Sequence, residues 1–233
     1  MIFLIQVTVI GGGGGASSRD YSSWSGAHGA GGGAAIKNSS VASGTKFVFT
    51  VGKGGIGRLV GDGAALQWGK DGTAGTDSVF EFDGIKLVGQ GGGIAAFKSS
   101  GGKGGKALIN NAIGGSGVGG DVNCKGGDGG FCSNGYFYCA AQSAPVCDGK
   151  QSGQSRMLST FSAYGSKGGG GGGGGASQYG GNGVSVPSDR QGCGGGGGDF
   201  MDGKLVRKLQ LNHPDYTNDY SNRGSHGCVI VTW

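Results

Sequence analysis

The chain has 233 residues, of which 62 are glycine, and a formal net charge of +5. The glycines follow no strict Gly-X-Y repeat and only three prolines are present, which excludes collagen. Hydrophobic residues at 35% against charged residues at 14% are the reverse of a disordered chain. We therefore expect one ordered glycine-rich domain over residues 1–233.

Short strands are predicted in chain order wherever β-branched or aromatic residues alternate between glycines, at 5–10, 45–51, 78–82, 85–88 and 227–233. The first, second and fourth of these strands run on into glycine-rich stretches. The first and last strands are expected to pair, which would close one compact unit. No convincing helical period exceeds two turns. The best helix candidate, residues 201–211, alternates well enough to be a strand.

Uninterrupted glycine runs occur at 11–15, 31–33, 91–93, 168–175 and 194–198. An extended helix of three residues per turn points its N–H and C=O groups outward, and buried backbone groups must be paired. Bare glycine segments can pair with one another in a bundle. The predicted fold is therefore mostly irregular and β. Short antiparallel strands close a packed bundle of polyglycine-II helices, with no substantial α-helix and with 168–175 and 194–198 innermost.

Binding residues are expected in three aromatic segments between the glycine runs: 17–28, 131–147 and 199–226. Aromatic side chains give binding loops rigid contact area, and loops on a rigid scaffold commonly carry binding residues. The candidates are Tyr21, Trp24, His28, Tyr136, Phe137, Tyr138, Tyr216 and Tyr220. An alternative for the 136–138 cluster is that it covers the scaffold as part of a core.

The six cysteines include four at intervals of seven or eight residues, and none forms a Cys-x-x-Cys pair. A zinc or redox motif is therefore not expected, and fifteen disulfide connectivities stay open. Disulfides would fit an extracellular particle or a secreted protein. Buried free thiols in a reducing cytoplasm are the alternative.

Catalytic and cofactor signatures are not found in the sequence. The three histidines have no metal-ligand spacing, no Gly-Lys pair completes a phosphate-binding loop, and Glu81 is the single glutamate. We expect no enzyme activity, no cofactor and no metal. The lysines are dispersed, which predicts no nucleic-acid binding. The apolar stretch 2–10 is too short to span a bilayer and has no basic leader before it.

A family resemblance is carried by residues 7–15, 47–55 and 227–233, each a strand beside glycine. They resemble the glycine-rich domain of bacteriophage tail-fibre and tail-tip proteins, and the layout is similar over essentially the whole chain. The resemblance implies a virion fibre or tail-tip protein on an extracellular particle, acting as a receptor-binding adhesin on a polyglycine scaffold.

The partners that the resemblance implies are a bacterial surface receptor, either an outer-membrane protein or lipopolysaccharide, and other fibre proteins of the virion. A homo-oligomer is left open. The tip adhesins carry a separate attachment domain, whereas this sequence starts at once with the glycine-rich unit.

Two other functions are open at this point. One is a structural decoration or fibre protein of the virion without receptor contact. The other is a secreted eukaryotic glycine-rich ectodomain that binds protein ligands, although Met1 reads as a true start. The irregular segments between the glycine runs argue against an ice-binding protein, which needs a flat, regular face.

Overall fold

The computed structural model describes residues 1–15, 29–56, 72–94, 112–128, 224 and 226–233, and the backbone of seven two-residue strands outside these ranges. The described residues form strands and no helix, as predicted. The strands are β1 (Ile2–Ile10), β2 (Ser17–Ser18), β3 (Gly26–Ala27), β4 (Ala34–Ala42), β5 (Val48–Thr50), β6 (Ser78–Phe82), β7 (Ile85–Gly89), β8 (Phe97–Lys98), β9 (Leu108–Ile109), β10 (Gly117–Val118), β11 (Val122–Cys124), β12 (Phe131–Cys132), β13 (Val146–Cys147), β14 (Lys150–Gln151) and β15 (Cys228–Thr232).

Eight of these strands build two antiparallel sheets. The first sheet has the order β11-β4-β1-β15 and the second has the order β10-β7-β6-β5. β1 pairs with β4 from Ile2 to Ile10 and with β15 from Gln6 to Ile10. The predicted pairing of the first and last strands is thereby confirmed.

The two sheets pack on each other through side chains. Alternation along β1 brings Ile5, Val7 and Val9 into one cluster, because successive residues of a strand point to opposite faces. The second sheet contributes Phe80, Phe82 and Leu87 to the same cluster. This apolar sandwich is the side-chain core of the described residues.

Each of the eight strands continues into a glycine-rich segment at the same end of the sandwich. Four segments follow strands β1, β5, β7 and β11, and four precede strands β4, β6, β10 and β15. In chain order they are segments I (11–15), II (29–33), III (52–56), IV (72–77), V (90–94), VI (112–116), VII (125–128) and VIII (224 and 226–227). Together these eight segments are the glycine bundle.

Hydrogen bonds within the glycine bundle recur every three residues. The amides of Gly11 and Gly14 donate to carbonyls of segment II, at 2.9 and 2.8 Å. Those of Gly12 and Gly15 donate to segment IV, at 3.0 and 2.9 Å. Segments II, IV and V each repeat this spacing toward a neighbour of their own. A strand would repeat every two residues, whereas a three-residue repeat is that of an extended helix. The bundle therefore has the predicted polyglycine-II arrangement.

The two layers of the sandwich continue into the glycine bundle, where they lie closer to each other than the two sheets do. Sheets that pack through side chains lie about 10 Å apart. In the bundle, backbone bonds cross between the layers instead, from Gly92 to Gly12 and from Gly55 to Gly13, each at 2.8 Å. A Cβ on Gly12 would lie 2.3 Å from the carbonyl oxygen of Lys53. Side chains must therefore be absent where the layers meet.

Segments I and II are the innermost segments that the structure describes. All five residues of each are buried; the backbone of segment I bonds to segments II, III, IV and V, and that of segment II bonds to segments I, V, VI and VII. The runs 168–175 and 194–198, predicted to be innermost, lie outside the described residues, as does 201–211. In the two sheets, the structure differs from the predicted strands at several places. The predicted strand 5–10 extends to Ile2–Ile10, the predicted strand 45–51 is reduced to Val48–Thr50, and β4, β10 and β11 were not predicted.

Two cysteines lie in the same row of the first sheet. Cys124 pairs with Ala34 on β4, Ala34 with Ile10 on β1, and Ile10 with Cys228 on β15. Three strand spacings of about 4.8 Å put the two cysteine Cα atoms roughly 14 Å apart, which is too far for a disulfide. Cys124 is disulfide-bonded, so its partner is a cysteine other than Cys228. β13, which ends in Cys147, lies beside β11.

Ser78 joins the sandwich to the glycine bundle. Its side chain is fully buried, and its Oγ donates to the carbonyl of Ile10 at 2.6 Å and accepts from the amide of Gly52 at 2.8 Å. We predict that Ser78→Ala lowers the free energy of unfolding by about 1–3 kcal/mol, because it leaves both buried backbone groups without this partner. Urea denaturation measures the effect, with Ser40→Ala on the exposed side of β4 as the control. Equal losses in the two variants would contradict the prediction.

Candidate functional site

The connections between strands differ sharply at the two ends of the molecule. At the sandwich end the chain turns within a few residues, at 43–47, 83–84 and 119–121. The turn at Asp83 and Gly84 has positive φ at both residues, 45° and 76°, as a tight type I′ hairpin requires. At the far end of the glycine bundle the connections are long: 16–28, 57–71, 95–111 and 129–223. We call this far end the loop end.

The points where the long connections leave and re-enter the bundle lie next to one another. Gly15 donates to Thr73 at 2.9 Å, and Thr73 donates to Ile56 at 2.9 Å. Gly224 donates to Gly55, also at 2.9 Å. These bonds join the stems of the first, second and fourth connections. The stem of the third is tied in by the bond from Ala30 to Gly93 at 3.1 Å.

Short strands link the connections further. β2 and β3 pair within the first connection, and β12 of the fourth connection pairs with β3. β8 pairs with β9 within the third connection, and β13 with β14 within the fourth. The backbones of the first and fourth connections are therefore joined in one three-stranded sheet.

Polar side chains complete the hydrogen bonding at the surface of the bundle. Asp77 Oδ1 accepts from the amide of Gly91 and Asp128 Oδ1 from that of Gly114, both at 2.8 Å. Thr73 Oγ1 accepts from Ile56 at 2.7 Å. Each of these side-chain oxygens accepts the hydrogen bond that a backbone carbonyl of a neighbouring segment would otherwise accept. The stems are therefore also held on the side that faces away from the bundle.

The side chain of His226 takes part in this hydrogen bonding. Its Nδ1 accepts from the amide of Gly54 at 3.2 Å, and the residue is exposed. This agrees with its prediction as a surface residue. In the described residues, no group of three or more His, Cys, Asp or Glu side chains is arranged to hold a metal ion.

Electrostatic interactions in the described residues are few and lie on the surface. Lys37 Nζ is 2.8 Å from Asp121 Oδ1. This hydrogen bond, followed by one from the amide of Asn38, lowers the pKa of Asp121 below its usual range. The pair ties β4 to the turn before β11. A second pair, between Lys125 and Asp128, lies in segment VII at 3.0 Å.

The eight predicted binding residues all fall in two of the long connections and lie outside the residues whose side chains are described. The first connection contains Tyr21, Trp24 and His28, and the fourth contains Tyr136, Phe137, Tyr138, Tyr216 and Tyr220. The structure brings the backbones of these two connections together through β3 and β12.

Connections 57–71 and 95–111 were missed by the sequence analysis, although they leave the same end of the bundle. The second of the four contains Trp68. The sequence contains a signal for them, because glycine segments alternately follow and precede strands. Two successive glycine segments are joined either by a strand, a turn and a strand, which turn at the sandwich end, or by a connection without such a unit, which must lie at the loop end.

Within the described ranges, no helix is long and apolar enough to cross a membrane. A comparison with curated proteins finds no match. The family model described as a glycine-rich domain matches residues 4–233, which covers both sheets, the glycine bundle and all four long connections. The chain therefore belongs to the glycine-rich domain family.

Proposed function

We propose that this protein is a fibre or tail-tip protein of a bacteriophage virion that binds a bacterial surface receptor through its loop end. The observation that carries the proposal is the polarity of the fold. All four long connections leave one end of a scaffold in which backbone bonds tie every stem to its neighbours, while the other end has short turns.

The arrangement suits recognition because it separates the scaffold from the variable chain. Backbone hydrogen bonds hold the glycine bundle independently of what the connections contain, so their sequences can differ without changing its contacts. Scaffolded loops are where proteins commonly place binding residues. The predicted aromatic residues give such loops contact area at low entropic cost. The disulfide at Cys124 supports an extracellular setting, as on a virion.

The receptor that we propose is an outer-membrane protein or lipopolysaccharide. The test is binding of a fluorescent-protein fusion of the full chain to a panel of bacterial cells, followed by competition with purified lipopolysaccharide and with outer-membrane protein extracts. Competition by one and not the other identifies the receptor class. Binding to no cell of the panel would contradict receptor binding and favour a decoration protein of the virion.

The site is tested by point substitutions that keep the chain length and the cysteines. Trp24→Ser and Tyr136→Ser are expected to weaken cell binding by about 30-fold or more, because a central aromatic contact typically contributes at least about 2 kcal/mol. Val118→Ser, which changes an apolar residue 48% exposed on β10 near the opposite end, should leave binding unchanged. If the loop variants bind like the wild type, the site assignment is wrong.

A further inference from the structure

Cys124 is buried on the outer face of the first sheet, the face that points away from the second sheet. Val9 of β1 belongs to the core between the sheets, so the next residue, Ile10, points to the opposite face. Ala34 and Cys124 lie in the same row as Ile10 and form a buried cluster with it. Because the second sheet lies on the other side, another part of the chain must cover this cluster. The cysteine that is bonded to Cys124 must reach it there.

Cys132 lies too far away to be that partner. β11 pairs with β4 up to Cys124 and Ala34. The two chains then stay side by side, since Gly31 donates to Gly127 at 2.9 Å and β12 pairs with β3. Between these contacts one chain advances by as many residues as the other retreats, so both run extended in one register. The eight residues from Cys124 to Cys132 therefore span roughly 25 Å at about 3.1 Å per residue, which no disulfide can bridge.

Cys147 is the cysteine that the fold brings next to Cys124. β13 consists of Val146 and Cys147 and lies beside β11, which ends in Cys124. β11 is an edge of the first sheet, so β13 can approach it without displacing another strand. Among the cysteines in the described strands, Cys132 and Cys228 are too far from Cys124, and Cys147 is in the neighbouring strand.

The spacing of four cysteines fits the same bond. Cys132 follows Cys124 by eight residues, and Cys147 follows Cys139 by eight residues. A chain that returns antiparallel with Cys147 opposite Cys124 also brings Cys139 opposite Cys132. Opposite residues in such a pair have Cα atoms about 4.5–5.5 Å apart, which is within the range of a disulfide. One register thus accounts for four cysteines, of which Cys139 lies outside the described residues.

We propose that Cys124 is bonded to Cys147 and that this disulfide closes residues 125–146 into a loop held at the edge of the first sheet. The bond forms when the two thiols together give up two protons and two electrons to an external disulfide, which is reduced to two thiols. The closed loop contains the aromatic residues 136–138. A second part of the proposal rests on the proposed function: the bond restricts the loop and so presents these residues to the receptor.

Digestion of the oxidised full chain with trypsin and chymotrypsin, with thiols blocked and no reductant, tests the bond by mass spectrometry. Trypsin cuts after Lys125 and chymotrypsin after Tyr138, so the two cysteines fall in separate peptides. The expected product is these two peptides joined, and its fragmentation distinguishes Cys147 from Cys139. A bond from Cys124 to any other cysteine would overturn the proposal, as would a Cys124 that is alkylated without reduction.

The role of the bond in presenting the loop is tested by the double variant Cys124→Ala/Cys147→Ala, which removes both thiols together. We expect it to bind bacterial cells at least about 10-fold more weakly, because the receptor must then order a loop that the disulfide otherwise restricts. Cys228→Ala is the matched control. It changes a cysteine in the same row of the sheet and should keep both the joined peptides and the wild-type affinity.

The two experiments separate this proposal from the proposed function. Equal binding by the double variant and the wild type would overturn the role of the bond in presenting the loop. A wild-type chain that binds no cell would contradict the proposed function, and the peptide map would still decide whether Cys124 is bonded to Cys147. The map uses the wild-type chain, so its result does not depend on whether the double variant folds.

Discussion

Gly12→Ala is expected to lower the free energy of unfolding by about 3 kcal/mol or more, the upper range for overpacking an interior site. A Cβ at this position would lie 2.3 Å from the carbonyl oxygen of Lys53 and 2.7 Å from its carbonyl carbon. Backbone atoms cannot rotate away as a side chain can. Any relief must shift segment I or segment III.

Such a shift would break other bonds. The amide of Gly12 donates to Thr76 at 3.0 Å, and its carbonyl accepts from Gly92 at 2.8 Å. Moving segment I away from Lys53 therefore disturbs the contacts with segments IV and V at the same time. Because each neighbour has bonds of its own in the bundle, the cost of one methyl group is distributed over several segments.

Urea denaturation followed by circular dichroism measures the effect of Gly12→Ala. Gly44→Ala is the control, since no atom lies within 4 Å of a Cβ built there and its φ of 87° gives only a conformational cost, about 1–2 kcal/mol. Ala30 shows that the bundle accepts a methyl group at a suitable position, as it is fully buried in segment II. A Gly12→Ala midpoint at or above that of Gly44→Ala would argue against a close-packed backbone core.

Phe80→Ala is expected to cost about 3–5 kcal/mol, as is typical when a buried phenylalanine is truncated. Phe80 is 1% exposed, and its ring centroid lies 5.3 Å from that of Phe47 and 5.6 Å from that of Phe82. It also faces β1 across the sandwich in the cluster that contains Val7. Its removal would leave a cavity at the centre of the side-chain core.

The comparison for Phe80→Ala is Val48→Ala, on the neighbouring strand, where the side chain is 64% exposed. A surface truncation of this kind changes stability by about 0.5 kcal/mol or less. Both variants are measured by urea denaturation at one protein concentration. If Phe80→Ala unfolds at the same midpoint as Val48→Ala, the stability of the domain resides in the glycine bundle and not in the sandwich.

The elements that could be predicted from the sequence are those with a strong local pattern. Strand 78–82 was predicted with the observed bounds, because Phe80 and Phe82 alternate with Val79 and Glu81 between turn residues. β4 was missed because Lys37, Asn38 and two serines interrupt any apolar alternation. That strand is specified by its partner, since β1 pairs with it over nine residues.

The glycine segments show the same limit of local patterns. Bare glycine runs were predicted to pack in a bundle, and this is confirmed at 11–15, whereas the runs predicted to be innermost, 168–175 and 194–198, lie outside the described residues. Which segments neighbour one another depends on how eight distant strands are ordered in two sheets, and glycine carries no side-chain pattern that could indicate it. The alternation of strands and glycine segments indicates which connections return at the loop end, but which of them lie side by side there could not be predicted, because that depends on strands that are far apart in sequence.

The three-residue repeat of the glycine bundle also restricts how its length can change. Because one residue turns the extended helix by about 120°, a single inserted or deleted glycine would point every later amide of that segment at a different neighbour. Three residues restore the phase. Each residue of a glycine segment thus has to keep its position in the three-residue repeat, a restriction that does not apply to the long connections. Variation in length should therefore accumulate in the connections at any number of residues and occur within a glycine segment only in multiples of three.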